Sequence, residues 1–314
     1  MPIKPSSPTR QPARQKGLTL VELMVAIVLM LIVTLATVAL YGANSASKRT
    51  VDASQSMDDT ARFVFEMIGQ AIRNAGYPSA VNLEGPLVTY SNLFNTCDAS
   101  ANTEPCPVLG FDNSAVSASN YGSAGSGTVN SSDSLAIRFY GSSGFNAAGA
   151  KVADNTVFTC TGDAVPASTV MGELGLSIFS VRSYQDEPEL YCTSNPGSGT
   201  RSTVPIARGV ESFQVMYGID LCVGAPCTRD GVPDRWVSAA DVAATDWRHV
   251  KAIRVGLILR GAPGSSQASD GQALYPLGEK FVSGATAAGM SFTPPTDGRL
   301  RRSYVTTYML RNSA

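Results

Sequence analysis

Lys16-Gly17-Leu18-Thr19-Leu20-Val21-Glu22-Leu23 opens a run in which every residue from 23 to 33 is apolar, and this stretch decides how the chain is built. A lone carboxylate, Glu22, stands near the head of a segment long enough to cross a bilayer. An acid at membrane depth costs roughly 2.5–3.5 kcal/mol on insertion scales, so by default it marks function. The leader before it carries Lys4, Arg10, Arg14 and Lys16 and no acid, which favours retention on the cytoplasmic side. An ordinary secretory signal is cut after its apolar region, at small residues. Here the distinctive small residue, Gly17, precedes that region, so cutting there would leave the hydrophobic helix on the mature chain.

These residues resemble the type III signal of type IV pilins and pseudopilins. The resemblance implies that a prepilin peptidase cuts between Gly17 and Leu18 and N-methylates Leu18, and that Glu22 becomes the fifth mature residue. Leucine stands where the family most often has phenylalanine. In the apolar surroundings, Glu22 would find its counter-charge in the freed α-amine of a neighbouring mature chain.

Working outward, residues 18–75 read as one long helix, on the order of 85 Å at 1.5 Å per residue. Residues 18–41 would span the membrane. Beyond Gly42 and Asn44 the sequence turns polar but keeps a stripe at Ala53, Met57, Ala61, Val64, Ile68 and Ile72, stepping by three and four. Gly76 with Pro78 supplies the stop. A break into two helices near Gly42 is the competing reading.

Downstream the period changes to two. Leu135, Ile137 and Phe139 alternate with other residues, as do Phe213, Val215 and Tyr217, and Ile253, Val255, Leu257 and Leu259, with a last strand over 304–310. Turn-rich stretches at 113–134, 194–202, 261–271 and 283–298 read as surface loops. The expected fold is α+β: a long pilin-type helix packed on an antiparallel β-sheet head. The expected domains are a leader (1–17), the helix (18–75) and a β-rich periplasmic or extracellular head (76–314).

Six cysteines, Cys97, Cys106, Cys160, Cys192, Cys222 and Cys227, follow the membrane-inserting signal, which suggests disulfides in an oxidising compartment. Six cysteines allow about 15 connectivities. Nearest-neighbour pairing (Cys97 with Cys106, Cys160 with Cys192, Cys222 with Cys227) is the working expectation, because each pair brackets a loop. Zinc fails on spacing, with no Cys-x-x-Cys and one histidine, His249. Asp220, Asp230 and Asp234 flank a Gly-Val-Pro turn where a calcium loop is conceivable, but Asp-capped turns account for them better. No metal or other cofactor is expected. Arg299, Arg301 and Arg302 read as solvated charges at a strand edge, and Trp236 and Trp247 as partly buried core.

Charged residues are 16% of the chain and the net charge is −1, with no basic stripe, so nucleic acid is not an expected partner. No nucleophile elbow, phosphate loop or His-Glu-x-x-His occurs, and no catalytic residue is assigned.

Segments 206–220, 230–236, 250–260 and 297–312 further resemble PilW-type minor pilins. That resemblance implies a low-abundance subunit that initiates pilus assembly, and so twitching motility, within the tip or priming complex. The implied partners are other minor pilins and the major pilin, a PilY-type tip adhesin, the prepilin peptidase and the inner-membrane assembly platform. Before assembly the chain would sit in the inner membrane with its head in the periplasm, and afterwards in the cell-surface pilus. A minor pseudopilin of type II secretion and a surface-binding tip module (adhesin) are the alternatives.

Overall fold

A computed structural model describes residues 17–76, 106–116, 129–167, 174–197, 200–222, 229–266, 271–281 and 289–311. The basic leader, Cys97 and Cys227 lie outside the described residues. The chain divides into two compact units, Met1–Arg49 and Thr50–Ala314.

Helix α1 runs without interruption over Leu20–Asn74. Its N-terminal part is apolar all round, and Leu20, Val21, Leu23, Val28, Leu35 and Tyr41 are all exposed. By length and composition this part can cross a membrane. The C-terminal part buries one stripe, Ala53, Met57, Ala61, Val64, Ile68 and Ile72, together with Gly69 and Ala71. Polar residues off the stripe stay at the surface, as a helix packed on one side requires. Gly76, at φ 65°, ends the chain's helical path, and its N–H donates to the carbonyl of Arg138 at 3.0 Å.

Among the described residues eleven strands follow: β1 (Val108–Phe111), β2 (Ser134–Phe139), β3 (Ser143–Phe145), β4 (Lys151–Ala153), β5 (Gly175–Tyr184), β6 (Glu187–Asn195), β7 (Ser202–Arg208), β8 (Val210–Ile219), β9 (Arg235–Val237), β10 (Val250–Arg260) and β11 (Arg301–Met309). They form a five-stranded sheet in the order β1-β2-β5-β6-β7, a four-stranded sheet in the order β11-β10-β8-β9, and the hairpin β3-β4. Every pairing is antiparallel. The fold is α+β.

The head thus has two principal sheets, where the sequence pattern showed four alternating segments of one. One continuous core joins Val64, Ile68 and Ile72 of α1 to Leu135, Ile137, Phe179 and Leu190 of the larger sheet and to Phe213, Val215, Ile253 and Val255 of the smaller. Strand β8 is buried along its whole length and also packs against β2, β5 and β6.

Strand β11 lies under the helix. Tyr308 donates its hydroxyl to the carbonyl of Phe65 at 2.6 Å, and Tyr304 donates to Asp58 at 2.6 Å. Gly69 faces this contact, and a Cβ there would meet the Tyr308 ring at 2.7 Å. Gly69→Val is therefore expected to destabilise the head by about 1–3 kcal/mol through overpacking. Thermal unfolding checks this, and an unchanged midpoint would refute the close approach.

Candidate functional site

The N-terminal segment comes first. Thr19 and Glu22 form a reciprocal cap on α1. The Thr19 N–H and hydroxyl donate to a Glu22 carboxylate oxygen at 3.0 and 3.1 Å, and the Glu22 N–H donates to the Thr19 hydroxyl at 3.3 Å. This is a capping box, a Thr followed three residues later by Glu. The pattern Thr19-Leu20-Val21-Glu22 carries that signal in the sequence, and the membrane reading of Glu22 passed over it. Glu22 therefore has local hydrogen-bond donors before any neighbour arrives, although hydroxyl and amide donors supply no counter-charge. Gly17 and Leu18 precede the helix and are exposed, with nothing within 4 Å of a Cβ built on Gly17.

In the head, Cys160 and Cys192 are joined by a disulfide with Cα atoms 6.2 Å apart. It fastens the 158–164 turn to β6, where Cys192 is fully buried. Cys106 and Cys222 are disulfide-bonded as well.

The three aspartates around the 229–234 turn serve as caps. Asp220 accepts from the Gly231 N–H at 2.9 Å, Asp234 from the Leu221 N–H at 2.8 Å, and Asp230 from the Val232 N–H at 2.9 Å. Asp230 makes a local Asx turn, whereas Asp220 and Asp234 tie backbone donors 11 and 13 residues away. No group of three metal-ligating side chains occurs among the described residues.

Arginines near the C-terminus overturn their reading as solvated charges. Arg301 is buried, donating to Glu211 at 2.6 and 2.9 Å and to Asp297 at 2.7 and 2.8 Å. Arg260 bridges the same Glu211, at 3.1 Å, to Glu187 at 2.7 Å, and Arg299 reaches Glu187 at 3.3 Å. Glu187 lies on β6 and the others on β8, β10, β11 and the loop before β11, so the network ties both sheets together. Its paired geometry is the strong, charge-assisted kind. Hydrogen bonding from Arg301 holds Asp297 down at about 2. Arg302 alone fits the surface reading, meeting Asp58 at 3.1 Å with both side chains well exposed.

A second latch joins the sheets. Asp133, just before β2, donates its N–H to the carbonyl of Phe213 and accepts from the N–H groups of Val215 and Asn113 at 2.8 and 3.1 Å. Burial first, then the Asp112 carboxylate, push its carboxyl well above the ordinary value. A raised carboxyl contributes stability fully below the unfolded value of about 3.9 and loses it as pH rises through the folded value. Asp133→Ala strands the buried Val215 N–H and is expected to cost about 2 kcal/mol. The gap between native and variant should be widest below about pH 4 and narrow as pH rises. Urea unfolding across pH measures it, and a gap that widens with pH would contradict this account.

Trp247 is buried, with its ring 4.8 Å from that of Tyr217, and Trp236 is half-buried against Phe281. His249 is buried beside Asp246, at the start of β10.

Two families of known proteins match parts of the chain. Residues 178–312 match the family described as Type IV Pilus-assembly protein W, and residues 12–38 match the Prokaryotic N-terminal methylation motif. Among solved structures, a type IV-like pilin from Thermus thermophilus is similar over 82% of this chain and 97% of its own, with 13% identity and a TM-score of 0.37. No curated protein matches the chain in sequence.

Proposed function

We propose that this chain is a PilW-type minor pilin of pilus assembly and that it acts in the tip or priming complex that initiates the fibre. The methylation motif and the apolar helix fit a membrane-anchored pilin. Proteins of this kind are structural rather than enzymatic. One observation carries the proposal: a membrane-length helix that is apolar on every side, interrupted by one carboxylate, behind a glycine flanked by a basic leader.

In this reading prepilin peptidase cuts after Gly17 and methylates Leu18. The mature chain waits in the inner membrane with its head in the periplasm. On extraction into a bundle of like helices, Glu22 exchanges its Thr19 donors for the Leu18 ammonium of a neighbour, a true counter-charge. The exposed apolar surface of α1 is covered by other pilin helices, and the head is displayed at the cell surface. Other minor pilins, the major pilin, a PilY-type adhesin and the assembly platform are the partners this requires.

Counting surface pili in a strain lacking the protein tests the reading. Loss of pili, restored by the intact gene and not by one encoding a chain lacking residues 18–41, is expected. Normal piliation combined with a failure to secrete exoproteins would move the chain to a type II secretion machine.

A further inference from the structure

Strand β11 forms one edge of the smaller sheet, and that edge is open. The Leu310 N–H donates to the carbonyl of Lys251, and the Gly261 N–H to the carbonyl of Leu300, each at 2.8 Å. In an antiparallel pair such bonds fall on alternate residues. The register runs unbroken from Ala252 opposite Met309 to Arg260 opposite Arg301, so the even-numbered residues of β11 turn their backbone groups to β10. Ser303, Val305, Thr307 and Met309 turn theirs outward, and no described strand lies beyond them. The same four residues are exposed.

Folded proteins guard such edges with prolines, bulges, charges or very short strands. The other described edges follow that rule. Strand β7 contains Pro205 and meets β6 across a register shift, while β1 and β9 span four and three residues. Strand β11 is nine residues long, with no proline and no shift. Its stretch Ser303-Tyr304-Val305-Thr306-Thr307-Tyr308-Met309 is uncharged and rich in β-branched and aromatic residues, the composition that joins strands.

An unguarded ladder selects an extended backbone as its occupant, and charge narrows the choice. All five charged residues of β10 and β11 are basic. Arg254, opposite Thr307, stacks on the Phe281 ring at 4.2 Å, and neither it nor exposed Arg311 meets a carboxylate among the described residues. Direction argues against a second copy. Strand β11 runs the same way as α1, since Arg302 and Tyr304 meet Asp58 while Tyr308 meets Phe65. Two copies paired antiparallel through this edge would hold their α1 segments in opposite directions, whereas chains assembled from one membrane point the same way. We propose that β11 receives an antiparallel strand from another protein of the pilus: an extended, proline-free segment matching Ser303–Met309 in length, uncharged at its centre, with an acid at the end that meets Arg254 and Arg311. The proposal deepens the assembly reading and rests on it.

Val305→Pro removes an outward N–H and none that bonds β10, a position where an edge strand tolerates proline. The full chain in detergent should keep its thermal midpoint, while its amount in sheared filaments falls at least about tenfold and that of Val305→Thr does not. In the native chain, amide hydrogen exchange at Val305, Thr307 and Met309 should be at least about tenfold slower in filaments than in detergent, with Thr306 and Tyr308 protected in both. That exchange decides the matter if Val305→Pro fails to fold. Arg311→Glu should lower incorporation at least about threefold. Native incorporation of a folded Val305→Pro, or equal exchange of the three outward amides in both settings, overturns the proposal. So does a native chain that sediments in detergent as a dimer and becomes a monomer on Val305→Pro, which would make a second copy the occupant. Undiminished incorporation of Arg311→Glu overturns the acidic partner. Absence of the native chain from filaments would contradict the assembly reading itself, and this proposal with it.

Discussion

Replacing Glu22 by leucine is expected to lower the amount of this chain in sheared surface filaments at least about tenfold, with the processed chain still present in the inner membrane. The apolar substitution removes a desolvation cost from the isolated helix, so the membrane-embedded chain itself gains stability. What it removes from assembly is the difference between the two states. On the proposed reading, the incorporated chain with Glu22 gains an ammonium partner that Thr19 cannot provide; with leucine, incorporated and free chains differ by packing alone. About 1.4 kcal/mol of lost difference corresponds to tenfold in population. Thr19→Ala separates charge from cap. It breaks the bonds that Thr19 makes to Glu22 through its hydroxyl and leaves the carboxylate in place, so incorporation should remain close to the native level. Immunoblots of sheared and membrane fractions read both variants. Loss of incorporation in Thr19→Ala with none in Glu22→Leu would mean that the cap matters and the charge does not.

The second large effect is expected in the head. Glu211→Leu withdraws the carboxylate that Arg301 and Arg260 share, at a side chain only 3% exposed. Breaking a buried ion pair from one side costs about 3–5 kcal/mol, because the remaining charge stays buried. Asp297 and Glu187 still hold the two arginines, which places the expected loss near about 3 kcal/mol. For a head of this size that corresponds to a fall of roughly 6–12 °C in the unfolding midpoint of the full chain in detergent. A fall under about 2 °C would show that the network contributes little. The same network sets an acid limit. Asp297, held at about 2 by Arg301, contributes stability that is present above the unfolded carboxylate value and disappears as pH falls toward 2. Circular dichroism between pH 5 and pH 2 should show the native head losing stability across that window more steeply than Asp297→Asn.

How far the sequence foretold this architecture differs by element. Helix α1 was legible because its signals are strong and local: an uninterrupted apolar run, then Ala53, Met57, Ala61, Val64, Ile68 and Ile72 at helical spacing, all of them buried. Strand β11 alternates half-buried and exposed residues from 304 to 309 because it sits at a sheet edge with one face at the surface. The β5–β6 hairpin stayed hidden. Its first seven residues are buried on both faces, which erases alternation, and its turn uses Gln185 and Asp186 at φ 51° and 62° with no glycine to announce it. The arginine cluster was misread for a related reason. The acid that buries Arg301, Glu211, lies 90 residues earlier in β8, and no local pattern reports so distant a partner. The stretch that matches the N-terminal methylation motif is the opposite case, since its residues are consecutive. The cap that Thr19 makes with Glu22 was equally local and was overshadowed by the Glu22 charge.

Mass spectrometry of the N-terminus of this chain, recovered from sheared surface filaments, addresses the central claim most directly. The account predicts a polypeptide beginning at N-methylated Leu18. Recovery of the chain only from membranes, with residues 1–17 still attached and none in the filament fraction, would contradict it.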